Sequence, residues 1–376
     1  MTLALLLFLS ISNSYVDSLV PDRYAQPNLT LTIYPGYHLV MNILVTGGAG
    51  FIGSNFIHYW LQKYSNDYIV NLDVLTYAGN LNNLKDVQEN QHYKFVKGDI
   101  SDTESNKKLI LNEKINVIIN FAAESHNGRA AIEPDIFLKT NVLGTQKLLE
   151  AAKDTAVERF HHISTCEVFG ELELDQDYAF KEDDPYKPRT PYNASKASAN
   201  HVVMSYFYTY KVPVTISHCS NNYGFYQFPE KVLPRFITNA IKNTELPLFK
   251  SSQNKREWTH VFDHCEGLDV IIHKGKVGEA YNIASGIEKS VDEIADSVLE
   301  KLGKPKTFKT YVEDRPGHDK RYLLDSTKIK KELGWEAKTS FEKGLDTTIE
   351  WYKQNQDWWL PLLNKGFVEK YKKISV

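Results

Sequence analysis

Apolar residues along this chain follow two alternating rhythms. Short apolar runs at 43–45, 68–72, 92–96, 115–121, 160–164 and 212–218 have strand length. The run 115–121 (INVIINF) is continuously apolar, as a strand buried on both faces would be. Between the runs the spacing becomes helical. Ile52, Phe56, Ile57, Trp60 and Leu61 mark one helix, and Ile136, Leu138, Val142, Leu143, Leu148 and Leu149 a second. Residues 191–211 predict a long third helix. Strand and helix in alternation imply right-handed crossovers and an α/β fold, a Rossmann-type doubly wound parallel sheet. Past Ser220 the rhythm changes to loops rich in Asn, Pro, Tyr and Gly with helices at 231–242, 291–302 and 341–354. This predicts a smaller C-terminal α/β substrate domain over the carboxyl ends of the sheet, where open α/β folds bind ligands. The expected division is an extension at 1–40, a dinucleotide-binding domain at 41–220 and a mainly substrate-binding domain at 221–376, with an interleaved boundary.

Between the first strand and the first helix stand Gly47, Gly50 and Gly53. One glycine allows a turn with positive φ, one lets the backbone approach a pyrophosphate, and one lets helix and strand pack closely. The helix amino terminus then offers unpaired N–H groups and a positive dipole end to phosphates. Asp73 ends the second strand twenty residues past Gly53, where a carboxylate accepts hydrogen bonds from a ribose diol and repels a 2′-phosphate. That spacing favours NAD over NADP; the alternative for Asp73 is a solvated strand-end acid. The fourth strand opens into Ala122-Ala123-Glu124-Ser125, small residues suited to a closely held cofactor.

The bulk composition narrows the class. The 376 residues are 42% hydrophobic and 24% charged, the balance of a soluble globular protein. Lys and Arg number 44 against 47 Asp and Glu, which gives no reason to expect a nucleic-acid or membrane partner. Cys166, Cys219 and Cys265 are odd in number and far apart, so neither a disulfide framework nor a metal site is indicated, and the chain reads as reduced and cytoplasmic. The apolar run 3–9 resembles a signal core but lacks a basic flank and a clear cleavage site. It reads as an upstream start or a dispensable extension, and the sequon at Asn28 matters only if it is a working signal.

Candidate chemistry lies on the third helix. Tyr192 and Lys196 are four apart and so share a face. A phenol is too weakly acidic to serve as a base at neutral pH. A nearby ammonium and a cationic nicotinamide would favour the phenolate. With Ser164-Thr165 ending an intervening strand, the set reads as hydride chemistry on a secondary alcohol: Tyr192 takes the hydroxyl proton and Thr165 hydrogen-bonds the same group. His161-His162 reads as structural, and Trp351, Trp358 and Trp359 as helix packing.

These residues carry a resemblance. TGGAGFIGSN (46–55), LTYAGN (75–80), FAAESH (121–126), PYNASKAS (191–198), SNNYG with YQFPEK (220–231), REW (256–258), DRPGHDKRY (314–322) and ELGW (332–335) follow in order. From Met41 onward the chain resembles the dTDP-glucose 4,6-dehydratases, extended short-chain dehydrogenase/reductases. The resemblance implies a tightly held NAD, a nucleotide-sugar substrate and a homodimer through the Tyr192 helix. It implies oxidation of the sugar at C4, loss of water across C5 and C6, and hydride return to C6. Implied NAD contacts are Gly47, Gly50, Phe51, Ile52, Gly53, Asp73, Thr76, Asp99, Ile100, Ala122, Ala123, Ser125, Thr140, Tyr192, Lys196 and Asn222. Implied substrate contacts are Ser125, Thr165, Asn221, Glu230, Lys231, Arg256, Asn282, Asp314, Arg315 and His318. Arg256 offers a planar fork that suits a diphosphate.

Two departures stand out. The family's Asp-Glu pair reads Cys166-Glu167 here, so the C5 base Glu167 is present while the acid that protonates the departing C6 hydroxyl is replaced by Cys166. The family's His-Val-Asp-Arg reads His126-Asn127-Gly128-Arg129. A thiol is protonated at neutral pH and so can donate, though more weakly than a carboxylic acid. Either Cys166, or a water it holds, serves as the acid, or dehydration is impaired or the reaction has shifted toward epimerisation. An NDP-glucose 4,6-dehydratase, another NAD-dependent sugar-nucleotide enzyme and a non-catalytic binding protein are therefore carried forward. Product mass separates the first two, since only dehydration loses water.

Overall fold

The computed structural model describes residues 40–363 other than 156, 315 and 316. The expectations for the extension at 1–39, its apolar run and its sequon, and for Arg315, lie outside the described residues.

Twelve strands are present among them: β1 Asn42–Thr46, β2 Tyr68–Asp73, β3 Tyr93–Lys97, β4 Val117–Asn120, β5 Arg159–Thr165, β6 Val214–Cys219, β7 Asn221–Tyr223, β8 Leu246–Phe249, β9 Lys255–His260, β10 Ala280–Ile283, β11 Glu288–Ser290 and β12 Lys309–Val312. Seven form one sheet in the order β10-β6-β5-β4-β1-β2-β3, with every pairing parallel. The order reverses between β1 and β4, and a crevice opens at such a reversal. Each of the runs read from the sequence became a strand of this sheet. The run at 212–218 starts late, at Val214, because Pro213 has no N–H to give to a ladder.

Side chains alternate across the sheet with period two. Ile43, Val45, Ile69 and Ile119 pack on one face with Phe56, Trp60, Leu268 and Ile271 from the helices Phe51–Lys63 and Val261–Lys274. Leu44, Val70, Ile118, Phe160 and Ile216 pack on the other with Ile110, Leu148, Leu149 and Val203 from Thr103–Asn112, Thr145–Lys153 and Pro191–Tyr210. The final parallel strand, β10, comes from well beyond Ser220, so the carboxyl-terminal half of the chain returns to complete the sheet edge. A separate apolar cluster holds Tyr223, Phe236, Trp258, Phe341, Tyr352 and Trp359 together. The short β7-β9-β11 sheet and the β8-β12 pair lie in this carboxyl-terminal part.

One helix differs from its sequence reading. The segment read as a single helix around Leu138 contains a π-helical turn, Leu138–Gly144, between the α-helices Pro134–Phe137 and Thr145–Lys153. The wider turn is a common device at functional sites. Here it buries Asn141, whose Nδ2 donates to the Glu124 carbonyl (3.0 Å) and to Ser195 Oγ (2.9 Å), while its Oδ1 accepts the Glu124 N–H (2.8 Å).

Candidate active site

A cleft of about 560 Å³ opens over the carboxyl ends of the sheet. All sixteen residues expected to hold the cofactor line it. The glycine turn explains why the chain folds this way locally. Gly47 has φ +69°, and a Cβ there would lie 2.7 Å from the backbone nitrogen of Ala122. A Cβ on Gly53 would lie 2.6 Å from the Gly47 carbonyl oxygen. Gly50 caps the helix Phe51–Lys63 with no side-chain hydrogen bond, so the first N–H groups of that helix face the cleft without a competing side-chain oxygen.

Asp73 is 7% exposed, so it is not a solvated strand-end acid. Its Oδ2 accepts the Ala49 N–H (2.9 Å) and its Oδ1 the Leu75 N–H (2.8 Å). Burial pushes this carboxyl up from its ordinary value, and the two backbone bonds pull it back. Each oxygen keeps a lone pair for a diol, and the carboxylate charge repels a 2′-phosphate. The residues therefore fit a dinucleotide: a tight turn, a bare helix end and a fixed carboxylate at the adenosine end.

Thr165, Cys166, Glu167, Tyr192 and Lys196 meet on the opposite wall of the same cleft. Thr165 ends β5 and caps a 3₁₀ turn, Cys166–Phe169, its Oγ1 accepting the Glu167 N–H at 3.3 Å. Thr190 caps the helix Pro191–Tyr210 by accepting the Asn193 N–H. Lys196 Nζ donates to the Ile163 carbonyl (2.6 Å) and lies 3.3 Å from His162 Nε2. Burial lowers Lys196 to about 8. Burial, then the charge of Glu167, pushes the Tyr192 phenol well above its usual range, while the Thr165 hydrogen bond pulls it down. Tyr192 thus rests as the neutral phenol, and of the two charges expected to favour the phenolate the cationic nicotinamide is needed as well as Lys196.

Cys166 is 2% exposed, against Phe169, Phe180, Tyr322 and Leu324. Burial and the neighbouring Glu167 push its thiol well up, so it carries its proton throughout the neutral range. Cys219 also lines the cleft, its Sγ donating to the Ser164 carbonyl, and burial raises it to about 12.

A second cavity of about 190 Å³ adjoins the first and shares Ser125, Glu167, Asn221, Glu230 and Lys231 with it. Arg256 and His318 line only this cavity. Arg256 donates to the carbonyls of Lys255, Asp319 and Lys320 and stacks on Tyr322, its centre 4.7 Å from the ring, which fixes the plane of the fork. Lys231 Nζ donates to the Ser125 carbonyl (3.1 Å). His318 Nδ1 lies 2.9 Å from Ser251 Oγ, and Asp314, which lines neither cavity, accepts from the same hydroxyl. Asn282 lies in neither cavity: its Nδ2 donates to the carbonyls of Phe180 (2.9 Å) and Asp325 (3.1 Å), tying β10 to the loops beside it.

The sequence reading passed over several residues at this site. Tyr77 donates to Glu230 Oε1 (2.9 Å), and His126 Nε2 lies 3.8 Å from Glu230 Oε2. His162, read as structural, reaches Lys196, and Asn127 reaches Glu167.

The profile of the family described as GDP-mannose 4,6 dehydratase matches residues 44–348. The low-salt glycan biosynthesis protein Agl12 of Haloferax volcanii is 47% identical over 83% of this chain and 98% of its own. The dTDP-glucose 4,6-dehydratase of Xanthomonas campestris pv. campestris is 43% identical over 84% of this chain and 94% of its own. The crystal structure of dTDP-glucose 4,6-dehydratase from Bacillus anthracis in complex with NAD covers 86% of this chain and 100% of its own, at 47% identity and a TM-score of 0.81. Similarity of this extent runs unbroken from the glycine turn through the Tyr192 helix into the carboxyl-terminal half, and the chain belongs to the dTDP-glucose 4,6-dehydratase family of extended short-chain dehydrogenase/reductases.

Proposed function

We propose that the chain is an NAD-dependent NDP-glucose 4,6-dehydratase acting on dTDP-glucose, with Cys166 in place of the usual acid. The observation that carries this reading is the position of Glu167. It lines both cavities, so one carboxylate faces the cleft beneath the glycine turn and the pocket that holds Lys231 and Arg256. A sugar joined to a diphosphate spans those two spaces.

NAD, when bound, supplies the hydride acceptor for C4 and the hydride donor for C6. The remaining work falls to side chains. Thr165 hydrogen-bonds the C4 hydroxyl, and Tyr192 takes its proton once positive charge has lowered the phenol. Lys196, anchored on the Ile163 carbonyl, contributes part of that charge. The C4 ketone acidifies C5, and Glu167 takes the C5 proton. Cys166, or a water held by it, returns a proton to the departing C6 hydroxyl. Asp73 receives the adenosine ribose, and Arg256 and Lys231 receive the diphosphate. Two copies are inferred to pair through the Tyr192 helix, whose Tyr208 and Tyr210 are exposed.

A second reading is favoured by Cys166 itself. A thiol buried among Phe169, Phe180 and Leu324 is a weak acid, which suits an enzyme that oxidises C4 and exchanges the C5 proton without losing water. Incubation of residues 41–376 with dTDP-glucose in deuterated water, read by mass spectrometry, decides between them. Loss of one water supports the dehydratase. Deuterium at C5 without water loss supports the second reading. No change with dTDP-, UDP- or CDP-glucose overturns both.

A further inference from the structure

The short helix Asn127–Ala130 follows directly on the cleft-lining segment after β4 and carries Asn127 to the edge of the site. Asn127 Nδ2 donates to Glu167 Oε2 at 2.9 Å. Its Oδ1 accepts from Thr190 Oγ1 at 2.8 Å. Chemistry fixes which way the amide faces. Thr190 Oγ1 already accepts the Asn193 N–H, so its own hydrogen is left to donate, and an ionised carboxylate only accepts. An amide between one donor and one acceptor has a single satisfied orientation, with its NH₂ toward Glu167. The anchor is firm, because Thr190 is the amino-terminal cap of the helix that carries Tyr192 and Lys196.

We propose that Asn127 is a positioning residue for the C5 base, holding the Glu167 carboxylate in register with the Tyr192 helix through the Thr190–Asn127–Glu167 chain of hydrogen bonds. The proposal rests on the dehydratase reading. The bond limits the carboxylate to one orientation over C5. Loss of a hydrogen bond to a charged group corresponds to roughly tenfold to a hundredfold in the step that uses it.

The test compares two rates for the unsubstituted protein and Asn127→Leu. One is deuterium incorporation at C5 of the sugar, summed over recovered dTDP-glucose and product. The other is single-turnover reduction of bound NAD, which reports oxidation at C4. The expected result is a fall of roughly tenfold to a hundredfold in the ratio of C5 incorporation to C4 oxidation. If Asn127→Leu does not fold, Asn127→Ala, which adds no apolar bulk, carries the same test. Asn127→Gln, which retains the donor, should recover part of the ratio. An unchanged ratio overturns the proposal, as does an equal loss of both rates, since a merely structural residue would give that. Absence of C5 deuterium from both substrate and product of the unsubstituted protein overturns the dehydratase reading and this proposal with it, and is distinguished by that control alone.

Discussion

Thr165 Oγ1 accepts the backbone N–H of Glu167 at 3.3 Å, so a single 3₁₀ turn sets three consecutive side chains against the cleft. The middle one is Cys166, and its environment defines what a carboxylic acid would do there. The burial and the Glu167 charge that hold the thiol protonated would also raise an aspartic acid and keep it protonated, as a general acid requires. Cys166→Asp is therefore expected to speed water loss by at least roughly tenfold, toward the gain of about 10²–10⁴ typical of general acid catalysis. Mass spectrometry of product against time measures it. A rate equal to or below that of the unsubstituted protein would show that the thiol, or its water, already suffices.

Asp73 makes a prediction about the cofactor. Ala49 and Leu75 hold its carboxylate by backbone bonds, so Asp73→Asn removes the charge and one acceptor while keeping the shape. NAD affinity should fall roughly tenfold, the worth of a hydrogen bond to a charged group. The gap between NAD and NADP should narrow, because the charge that repels a 2′-phosphate is gone. Titration calorimetry with both dinucleotides checks this. An unchanged preference would place the selectivity elsewhere.

The two glycines of the turn should differ in cost. Gly47→Ala places a Cβ 2.7 Å from backbone at φ +69°, where neither the residue nor its neighbour can yield. Gly50→Ala has ordinary φ and meets the Gly47 carbonyl oxygen at 3.2 Å. The first is expected to cost roughly 1–3 kcal/mol and to abolish NAD binding. The second should cost less and mainly weaken binding. Urea midpoints and NAD titrations of both variants test the order, and equal costs would refute the steric account.

What the sequence made legible is what local pattern encodes. Ile43, Leu44 and Val45 alternate between the two faces of the sheet, and Gly47 sits where only a positive φ fits, so strands, turn and cofactor cleft could be read directly. The π turn at Leu138–Gly144 keeps helical spacing on both sides and leaves no trace in the apolar pattern. β10 pairs with β6 across 60 intervening residues, a closure that short-range periodicity does not signal. Asn127, His162 and Asn141 act through partners 40, 34 and 54 residues away, and a polar residue reads alike whether it meets solvent or a buried carboxylate. Asn282 was assigned to the substrate by motif, whereas its amide hydrogens go to the carbonyls of Phe180 and Asp325.

A polar knot away from the cleft gives a stability prediction with a defined pH window. Asp269, on the helix Val261–Lys274, accepts from Tyr59 (2.6 Å), Lys63 (2.5 Å) and Tyr64 (2.9 Å) of the first helix region and pairs with His273 Nδ1 (2.8 Å). Burial alone would raise this carboxyl, but the bonds from His273, Lys63 and Tyr59 outweigh it and hold it well below its ordinary range. Burial alone would lower His273, but its bonds to Asp269 outweigh that and raise it. A raised imidazole contributes fully below its unfolded value, about 6.5, and the contribution is lost as pH climbs through the higher folded value. A depressed carboxyl contributes fully above its unfolded value, about 3.9, and loses it as pH falls through the lower folded value. The knot is therefore strongest between about pH 4 and 6.5. Asp269→Ala should cost roughly 1.5–3 kcal/mol there, because it leaves the half-buried Tyr59, Tyr64 and His273 donors without their charged acceptor. The gap between Asp269→Asn and the unsubstituted protein should narrow as pH climbs above about 6.5 and His273 loses its proton at its raised folded value. Urea unfolding at a series of pH values measures the gap, and one that stays constant above that pH would show that His273 and Asp269 do not titrate as a pair.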